Sequence, residues 1–189
     1  MSDTDNSLFD AEGRRKYLTK TELASFLKAA ESLSPKERSF CQALMNTGGR
    51  LSEVLALRKQ EVDSVQKTIT IRSLKKRDKK HFRSIPISAE MLSTLDNIFD
   101  VRRGKAADRL WDVTERTANR WVMKAMVAAG LDHHSPRSLR HSFGVSAVMH
   151  GVPLTTIKKW LGHADIKTTA IYTNAMGDEE RGLAERMWA

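Results

Sequence analysis

Helix start and stop signals recur along the chain and constrain its fold more than any other feature. Thr19 and Glu22 have the spacing of a capping box, and residues 34–37 (Ser-Pro-Lys-Glu) repeat that signal with proline at the first helical position. Gly130 and Gly162 each follow a stretch with apolar residues at helical spacing, as helix-ending glycines do. The pattern predicts a chain built mainly from short amphipathic helices.

One segment in the first half of the chain has the alternation of a β-hairpin instead. Residues 68–71 (Thr-Ile-Thr-Ile) alternate as a strand does, and residues 82–87 offer a second short strand. The strongly basic residues 74–81 separate the two. Such a tip is either a solvated guard of the sheet edge or a finger that enters a phosphate-lined groove, and we favour the finger. The predicted fold class is therefore α+β, mainly α with a small antiparallel sheet or hairpin.

The charge of the chain points to a polyanionic partner. With 32 Lys and Arg against 23 Asp and Glu, the net charge is +9, and nucleic acid is the commonest polyanion that such a surface meets. No apolar run reaches the roughly 18 residues that a membrane span needs, and the first residues lack the order of a secretory signal. We therefore expect a nucleic acid as the partner, no membrane, and a cytoplasmic location.

The length and the cysteine content favour one folded domain in a reducing compartment. A chain of 189 residues builds one good-sized core more readily than two. Cys41 is the single cysteine, which excludes an internal disulfide, and its apolar neighbours indicate buried packing. We expect residues 1–17 to form a flexible arm, 18–175 the domain, and 176–189 a docking tail. The tail's apolar side chains are Leu183, Met187 and Trp188.

Four residues along the chain form a set with a shared chemistry. Arg50 follows a Gly-Gly break and precedes a short helix, and Arg140 lies near another helix start, on the same face as Arg137. His163 comes directly after a helix end, and Tyr172 lies on the next helical pattern. Each residue alone has a structural explanation. Together with the basic hairpin they supply what phosphoryl transfer to a tyrosine requires.

Transfer of a phosphoryl group to a tyrosine needs cations. A phenol with a pKa of about 10 is a poor nucleophile at neutral pH, and nearby cations stabilise its developing anion. Two arginines can clamp the non-bridging oxygens of the transition state, and a lysine can give a proton to the departing 5′-oxygen. The arginines supply the electrostatic stabilisation, so we expect neither a metal nor a cofactor.

Three separated blocks, in order, resemble the catalytic domain of the tyrosine recombinases, the phage integrase family. They are residues 47–57 (Thr-Gly-Gly-Arg-Leu-Ser-Glu-Val-Leu-Ala-Leu), 139–143 (Leu-Arg-His-Ser-Phe), and 161–172, which begins Leu-Gly-His and ends Thr-Thr-Ala-Ile-Tyr. The resemblance implies that Arg50 and Arg140 are catalytic arginines and His163 is a catalytic histidine. It also implies that Tyr172 is the nucleophile, which forms a 3′-phosphotyrosyl bond with DNA. His141 is expected to have a supporting part.

The resemblance places a catalytic lysine in the hairpin and a histidine where this chain has Arg137. Lys76 is our first choice for the lysine and Lys75 the second, because Lys79 and Lys80 resemble the turn. Arginine at position 137 can donate to phosphate but cannot take up a proton, so it keeps electrostatic stabilisation without general-base help.

The DNA-binding surface is predicted from the basic tip and from one helix face. A solvated helix face would have the same composition, so the second part is the weaker of the two. The predicted residues are Lys75, Arg77, Lys79, Lys80, Arg116, Asn119, Arg120 and Lys124.

The resemblance also bears on assembly and function. Typical members carry an N-terminal helical DNA-binding domain, and only about 18 residues precede the pattern here. The chain thus resembles short single-domain members, such as fimbrial phase-switch invertases, or is part of a longer recombinase. We expect the tail to dock into a pocket in cis or in trans and to support self-association on DNA. We also expect accessory DNA-bending proteins. The predicted function is site-specific DNA recombination by a prokaryotic, phage or plasmid protein. The alternative is a catalytically impaired DNA-binding accessory protein.

Overall fold

The computed structural model describes residues 7–73, 81–103, 105–175 and 178–185. Short helices dominate it, and a small antiparallel sheet lies between the third and fourth of them. The elements are α1 (Lys20–Ala30), α2 (Pro35–Thr47), α3 (Leu51–Leu55), β1 (Val62–Asp63), β2 (Thr68–Arg72), β3 (Phe82–Pro86), α4 (Ala89–Phe99), α5 (Glu115–Ala128), α6 (Pro136–Met149), α7 (Leu154–Leu161), α8 (Lys167–Ala170), a 3-10 turn (Ile171–Asn174) and α9 (Asp178–Glu185). The predicted fold class is confirmed.

The helices begin and end where the local signals predict. The Thr19 hydroxyl accepts a hydrogen bond from the Glu22 N–H at 3.2 Å, and the Glu22 carboxylate accepts one from the Thr19 N–H at 2.7 Å. The same reciprocal pair links Ser34 and Glu37 at the start of α2. Gly162 ends α7 with a φ of +69°, a left-handed conformation that favours glycine. Local chemistry therefore determines most of these boundaries.

The sheet has the order β1-β2-β3, and both pairings are antiparallel. Arg72 pairs with Phe82, and the Ser73 N–H donates to the His81 carbonyl at 2.8 Å, so the base of the predicted hairpin is formed. Ile69 and Ile85 lie opposite each other and are fully buried, which fixes the register because a one-residue slip would expose both. The basic tip, residues 74–80, lies outside the described residues.

The larger apolar cluster is built around α2 and contains the buried apolar side chains of α1, α4, α5 and the sheet. Phe40 and Trp111 pack edge to face with ring centroids 5.2 Å apart, and the Trp111 indole N–H donates to the Lys36 carbonyl at 3.1 Å. Cys41 is buried among them, and that burial raises the pKa of its thiol to about 12. The prediction that Cys41 is buried packing is confirmed.

A second cluster joins α6, α7 and the 3-10 turn, and the N-terminal segment belongs to it. Leu8 and Tyr17 are 1% and 0% exposed, and the Lys16 N–H donates to the Leu8 carbonyl at 2.8 Å. The next residue, Leu18, donates its N–H to the Ser142 hydroxyl on α6 at 2.8 Å. The expectation of a flexible arm is wrong for residues 7–17, because these apolar side chains complete a core that the rest of the chain leaves open.

The described part of the tail, α9, packs on α6 of its own chain, where Gly182 lies against the Met149 side chain. The Leu183 side chain, Met187 and Trp188 lie outside the described part, so docking in trans stays a prediction. No helix in the described ranges has the length and apolar character needed to cross a membrane.

Candidate active site

Arg140 lies at the centre of the site and is held by the ends of two other helices. Its Nη1 donates to the Gly48 carbonyl at 2.7 Å, and its Nη2 donates to the Leu161 carbonyl at 2.8 Å. These carbonyls end α2 and α7, where helical C=O groups lack partners and carry partial negative charge. Arg140 is only 7% exposed, so the prediction that its guanidinium is partly buried and aimed is confirmed.

Burial and the positive charge of Arg50 lower the pKa of Arg140 to about 10, which still leaves it charged at neutral pH. A guanidinium has more N–H donors than two hydrogen bonds use. Arg140 therefore keeps donors for an anion while its orientation is fixed by backbone.

Arg50 is oriented by a carboxylate one helical turn ahead of it. Its Nη1 donates to Glu53 Oε1 at 2.8 Å, and its backbone N–H donates to Glu53 Oε2 at 3.1 Å. Glu53 is almost fully buried and also accepts from Arg83 Nη2 at 2.6 Å. Burial raises the pKa of Glu53, but the hydrogen bond and charge of Arg83 and those of Arg50 outweigh it, so the net pKa is lowered and the carboxylate stays charged.

His163 follows the end of α7 and is held by a buried hydroxyl. Its Nδ1 lies 2.9 Å from Thr169 Oγ1, and Thr169 is fully buried on α8. Burial lowers the pKa of His163 to about 3, and the charges of Arg140 and Arg50 act in the same direction. The imidazole is therefore neutral, with Nε2 left for another partner.

The ring of Tyr172 lies inside the site and is 1% exposed. It stacks on His163 with ring centroids 6.2 Å apart and an interplanar angle of 20°, and it lies 5.9 Å from the His141 ring. A Cβ at Gly144 would come within 2.6 Å of three ring atoms, so the absent side chain on α6 makes room for the phenol. Burial raises the pKa of Tyr172, while the charges of Arg140 and two further arginines oppose that shift.

Arg137 is exposed in the first turn of α6, on the solvent side of the site. Its charge lowers the pKa of Tyr172, so the two groups are near enough to interact. The structure thus brings Arg50, Arg137, Arg140, His163 and Tyr172 together, although they come from four separated parts of the chain.

The hairpin reaches the site through its base. Strand β3 lies against α7, and Arg83 Nε donates to the Trp160 carbonyl at 2.7 Å. The predicted lysines and the arginine of the tip fall outside the described residues, so their positions stay a prediction. They are Lys75, Lys76, Arg77, Lys79 and Lys80.

The basic face of α5 is exposed, and its later part lies near the start of α2. Its residues are Arg116, Asn119, Arg120 and Lys124. The charges of Lys124 and Arg120 lower the pKa of Glu37, so this part of the face lies near the first turn of α2. Gly48, which binds Arg140, is at the opposite end of that helix, roughly 16 Å away at 1.5 Å per residue.

Sequence reasoning missed Glu53, Arg83 and Thr169. A signal existed for two of them: Glu53 is acidic within an otherwise apolar short helix, and Arg83 shares the inward face of β3 with Ile85. Thr169 carried no signal, because nothing local distinguishes it from its neighbour Thr168. No group of three or more His, Cys, Asp and Glu side chains that could hold a metal occurs among the residues with described positions.

Comparison with known proteins gives a consistent result. The model of the phage integrase family matches residues 16–178. The tyrosine recombinase XerD of Neisseria meningitidis is 30% identical over 171 residues, which cover 83% of this chain and 57% of that protein. This chain thus spans somewhat more than half the length of that relative.

Solved structures share the fold. The crystal structure of XerA recombinase superposes with a TM-score of 0.77 at 27% identity, covering 90% of this chain and 64% of that one. The XerH recombinase bound to its difH substrate in a pre-cleavage complex gives a TM-score of 0.70 at 22% identity, covering 96% of this chain and 60% of that one.

Proposed function

This chain belongs to the phage integrase family, and we propose that it cleaves and rejoins double-stranded DNA at specific sites through a covalent bond to Tyr172. The phenol oxygen attacks the scissile phosphorus, a bond forms between them, and the bond from phosphorus to the 5′-oxygen breaks. The phenolic proton is lost and the 5′-oxygen gains one. Attack by a 5′-hydroxyl on the phosphotyrosine reverses the step, so the reaction needs no outside energy source.

One observation carries the proposal: the Arg140 guanidinium is fixed by two helix ends within the group of cations that surrounds Tyr172. Preorganised donors stabilise charge that develops in a transition state, because they need not reorient when the reaction occurs. With Arg50 held by Glu53 at 2.8 Å, the site presents two oriented guanidinium groups to a phosphate. Such a pair replaces the charge neutralisation that a metal ion gives elsewhere.

His163 is proposed to act as a neutral imidazole. When Nδ1 accepts the Thr169 hydroxyl proton, Nε2 carries a hydrogen and donates to a phosphate oxygen. When Nδ1 donates to that hydroxyl, Nε2 is an acceptor and can receive a hydrogen bond from the Tyr172 hydroxyl. Because the ring stacks on Tyr172, both functions need only local adjustment.

The burial of Tyr172 implies a conformational step before cleavage. A ring that is 1% exposed cannot meet a phosphate, so we propose that DNA binding shifts the 3-10 turn that carries it. The turn is short, and the residue after Tyr172 is exposed, which favours a local movement over opening of the whole domain.

The remaining roles follow from charge and position. We propose that a tip lysine, Lys76 or Lys75, gives the proton to the 5′-oxygen, and that Arg137 donates to the phosphate from the exposed side of the site. The face of α5 would meet the DNA backbone beyond the scissile position. The roughly 16 Å between the first turn of α2, near this face, and Gly48 corresponds to the rise of about five phosphates along one DNA strand.

The test is trapping of the covalent intermediate. The protein is incubated with supercoiled plasmid DNA and with nicked duplexes built from any inverted repeats found beside the gene, and the reaction is quenched with detergent. The parent is expected to form a protein–DNA adduct and Tyr172→Phe none. Absence of an adduct on the nicked duplexes and on the plasmid would contradict the proposal and favour a DNA-binding protein that does not cleave.

We also propose that the chain self-associates on DNA, with the apolar tail residues Met187 and Trp188 contacting a neighbouring copy. The described tail helix lies on α6 of its own chain, so exchange of this contact between copies would be enough to join them. Analytical ultracentrifugation with and without duplex DNA is expected to show a larger assembly only with DNA. Truncation after Glu185 should abolish that assembly while leaving a single-copy complex.

A further inference from the structure

Arg83 is a buried arginine that lies beside the site without being part of the predicted set. It occupies the inward face of β3, and its side chain is 5% exposed. An arginine on that face of a strand is unusual, because a buried charge is costly unless it is paired. Its contacts therefore indicate what it does.

The guanidinium of Arg83 joins two of the elements that carry site residues. Nη2 donates to Glu53 Oε2 at 2.6 Å, and Nε donates to the Trp160 carbonyl at 2.7 Å. Glu53 in turn orients Arg50, and Trp160 lies three residues before His163. Among the described residues, Nη1 has no hydrogen-bond partner, and it would lie 3.1 Å from a Cβ at Gly162.

Stability alone does not account for this arrangement. A buried ion pair is often no more stable than apolar residues of similar volume, because the desolvation of both charges offsets their attraction. Removing one partner, however, leaves the other charge buried and unpaired. Without Arg83, Glu53 would keep only the contacts with Arg50, whose side chain is 29% exposed, and nothing would tie this pair to the Trp160 carbonyl.

We propose that Arg83 is a positioning residue: it holds the Arg50–Glu53 pair in register with the Trp160–Gly162 turn, so that Arg50 and His163 face the same phosphate. This inference rests on the proposed cleavage of DNA. It also explains how the hairpin communicates with the site, since the strand that leaves the basic tip carries Arg83.

The contacts of Arg83 leave it no donor for DNA. Its Nη2 and Nε already donate to Glu53 and to the Trp160 carbonyl, and its Nη1 is buried beside Gly162. Arg83 should therefore affect the rate of cleavage at saturating DNA more than the affinity for DNA.

The experiment compares Arg83→Met and Arg83→Lys with the parent and with Arg102→Met. Arg102 forms an ion pair with Asp96 at 3.2 Å on the surface, so its variant controls for loss of an arginine–carboxylate pair away from the site. Single-turnover adduct formation is measured at saturating nicked duplex, and DNA affinity is measured at several salt concentrations. Thermal unfolding identifies a temperature at which all four proteins are folded.

We expect Arg83→Met to slow adduct formation by roughly 10²-fold, as small misplacements in active sites do. Arg83→Lys should recover part of the rate, because a lysine can meet Glu53 or the Trp160 carbonyl but lacks the fork that meets both. Affinity and its salt dependence should stay parental in both variants, and Arg102→Met should cleave at the parental rate. A parental rate in Arg83→Met, or a salt slope smaller by about one, would overturn the proposal.

A second measurement separates this inference from the proposed function. The N–H groups of Gly162 and His163 both donate to the Lys158 carbonyl, so their hydrogen exchange reports on the turn without any cleavage. Faster exchange at these two amides in Arg83→Met, but not in Arg102→Met, supports positioning by Arg83. If the parent forms no adduct, the proposed function fails, but the exchange measurement still tests whether Arg83 positions the turn. Unchanged exchange in Arg83→Met would refute that role.

Discussion

Replacing Leu8 with alanine tests whether the N-terminal segment is part of the structure that holds Tyr172. Leu8 is 1% exposed and belongs to the cluster that contains Ile171, Tyr172 and Ala175. Truncation of a buried leucine costs about 3–5 kcal/mol when the surroundings cannot collapse into the space. Because residues 7–17 are near the start of the described chain and can partly relax, we expect about 3 kcal/mol. That corresponds to a melting temperature lower by roughly 6–12 °C for a chain of this size.

The assay is urea unfolding followed by tryptophan fluorescence, with Val65→Ala as the matched control. Val65 is 83% exposed, so its truncation should change the free energy of unfolding by less than about 0.5 kcal/mol. Adduct formation by Leu8→Ala should also slow at a temperature where the variant is folded, because Tyr172 loses packing in the same cluster. If Leu8→Ala unfolds at the same urea concentration as Val65→Ala, the N-terminal segment does not contribute to the folded core.

Three further predictions concern the turn between α7 and α8. Thr169→Val removes the hydroxyl that holds His163, so adduct formation should slow by about 10-fold with unchanged DNA affinity; an unchanged rate would contradict this role. Gly162→Ala should destabilise the fold by about 1 kcal/mol more than Gly130→Ala in thermal unfolding. Both glycines have positive φ, but only at Gly162 would a Cβ contact the side chain of Arg83, which its hydrogen bonds hold in place. Equal losses of stability in the two variants would refute this contact. Burial and nearby arginines lower the pKa of His163 to about 3, so below its ordinary value near 6.5 the unfolded chain binds a proton that the folded chain does not. Stability should therefore fall as the pH drops from about 6.5 towards 3, and His163→Gln should weaken that dependence in urea titrations.

The sequence predicts the parts of this fold that local chemistry controls. The capping box of Thr19 and Glu22 and the left-handed glycine at position 162 act within one turn of backbone, so their residue types are sufficient to place helix ends. The burial of Arg140 was predictable for a related reason. A charged residue among the apolar positions of a largely apolar helix can hardly avoid the core. Such a buried charge indicates a function that needs an oriented side chain.

The features that the sequence did not reveal depend on contacts between distant segments. Leu8 and Tyr17 are too widely spaced to form a periodic pattern, and they are buried because α6, α7 and the 3-10 turn leave an apolar surface for them. Arg83 and Glu53 are 30 positions apart, and their pairing requires the sheet to pack against α3. Strand alternation places Arg83 on the buried face, but only the tertiary structure identifies its partner.

The site gathers more positive charge than its own residues neutralise. Arg50 and Arg83 pair with one carboxylate, that of Glu53, and Arg140 is held by the carbonyl groups at the ends of α2 and α7. Carbonyl dipoles orient a guanidinium without removing its charge, so repulsion among the three groups persists in the free protein. Burial lowers the pKa of Arg140 most, and the charges of Arg50 and Arg83 lower it further. In the proposed reaction, a bound phosphate would relieve that repulsion, and the transition state, with more charge on its oxygens, would relieve it further. The arrangement that weakens the empty fold would therefore favour cleavage over simple binding.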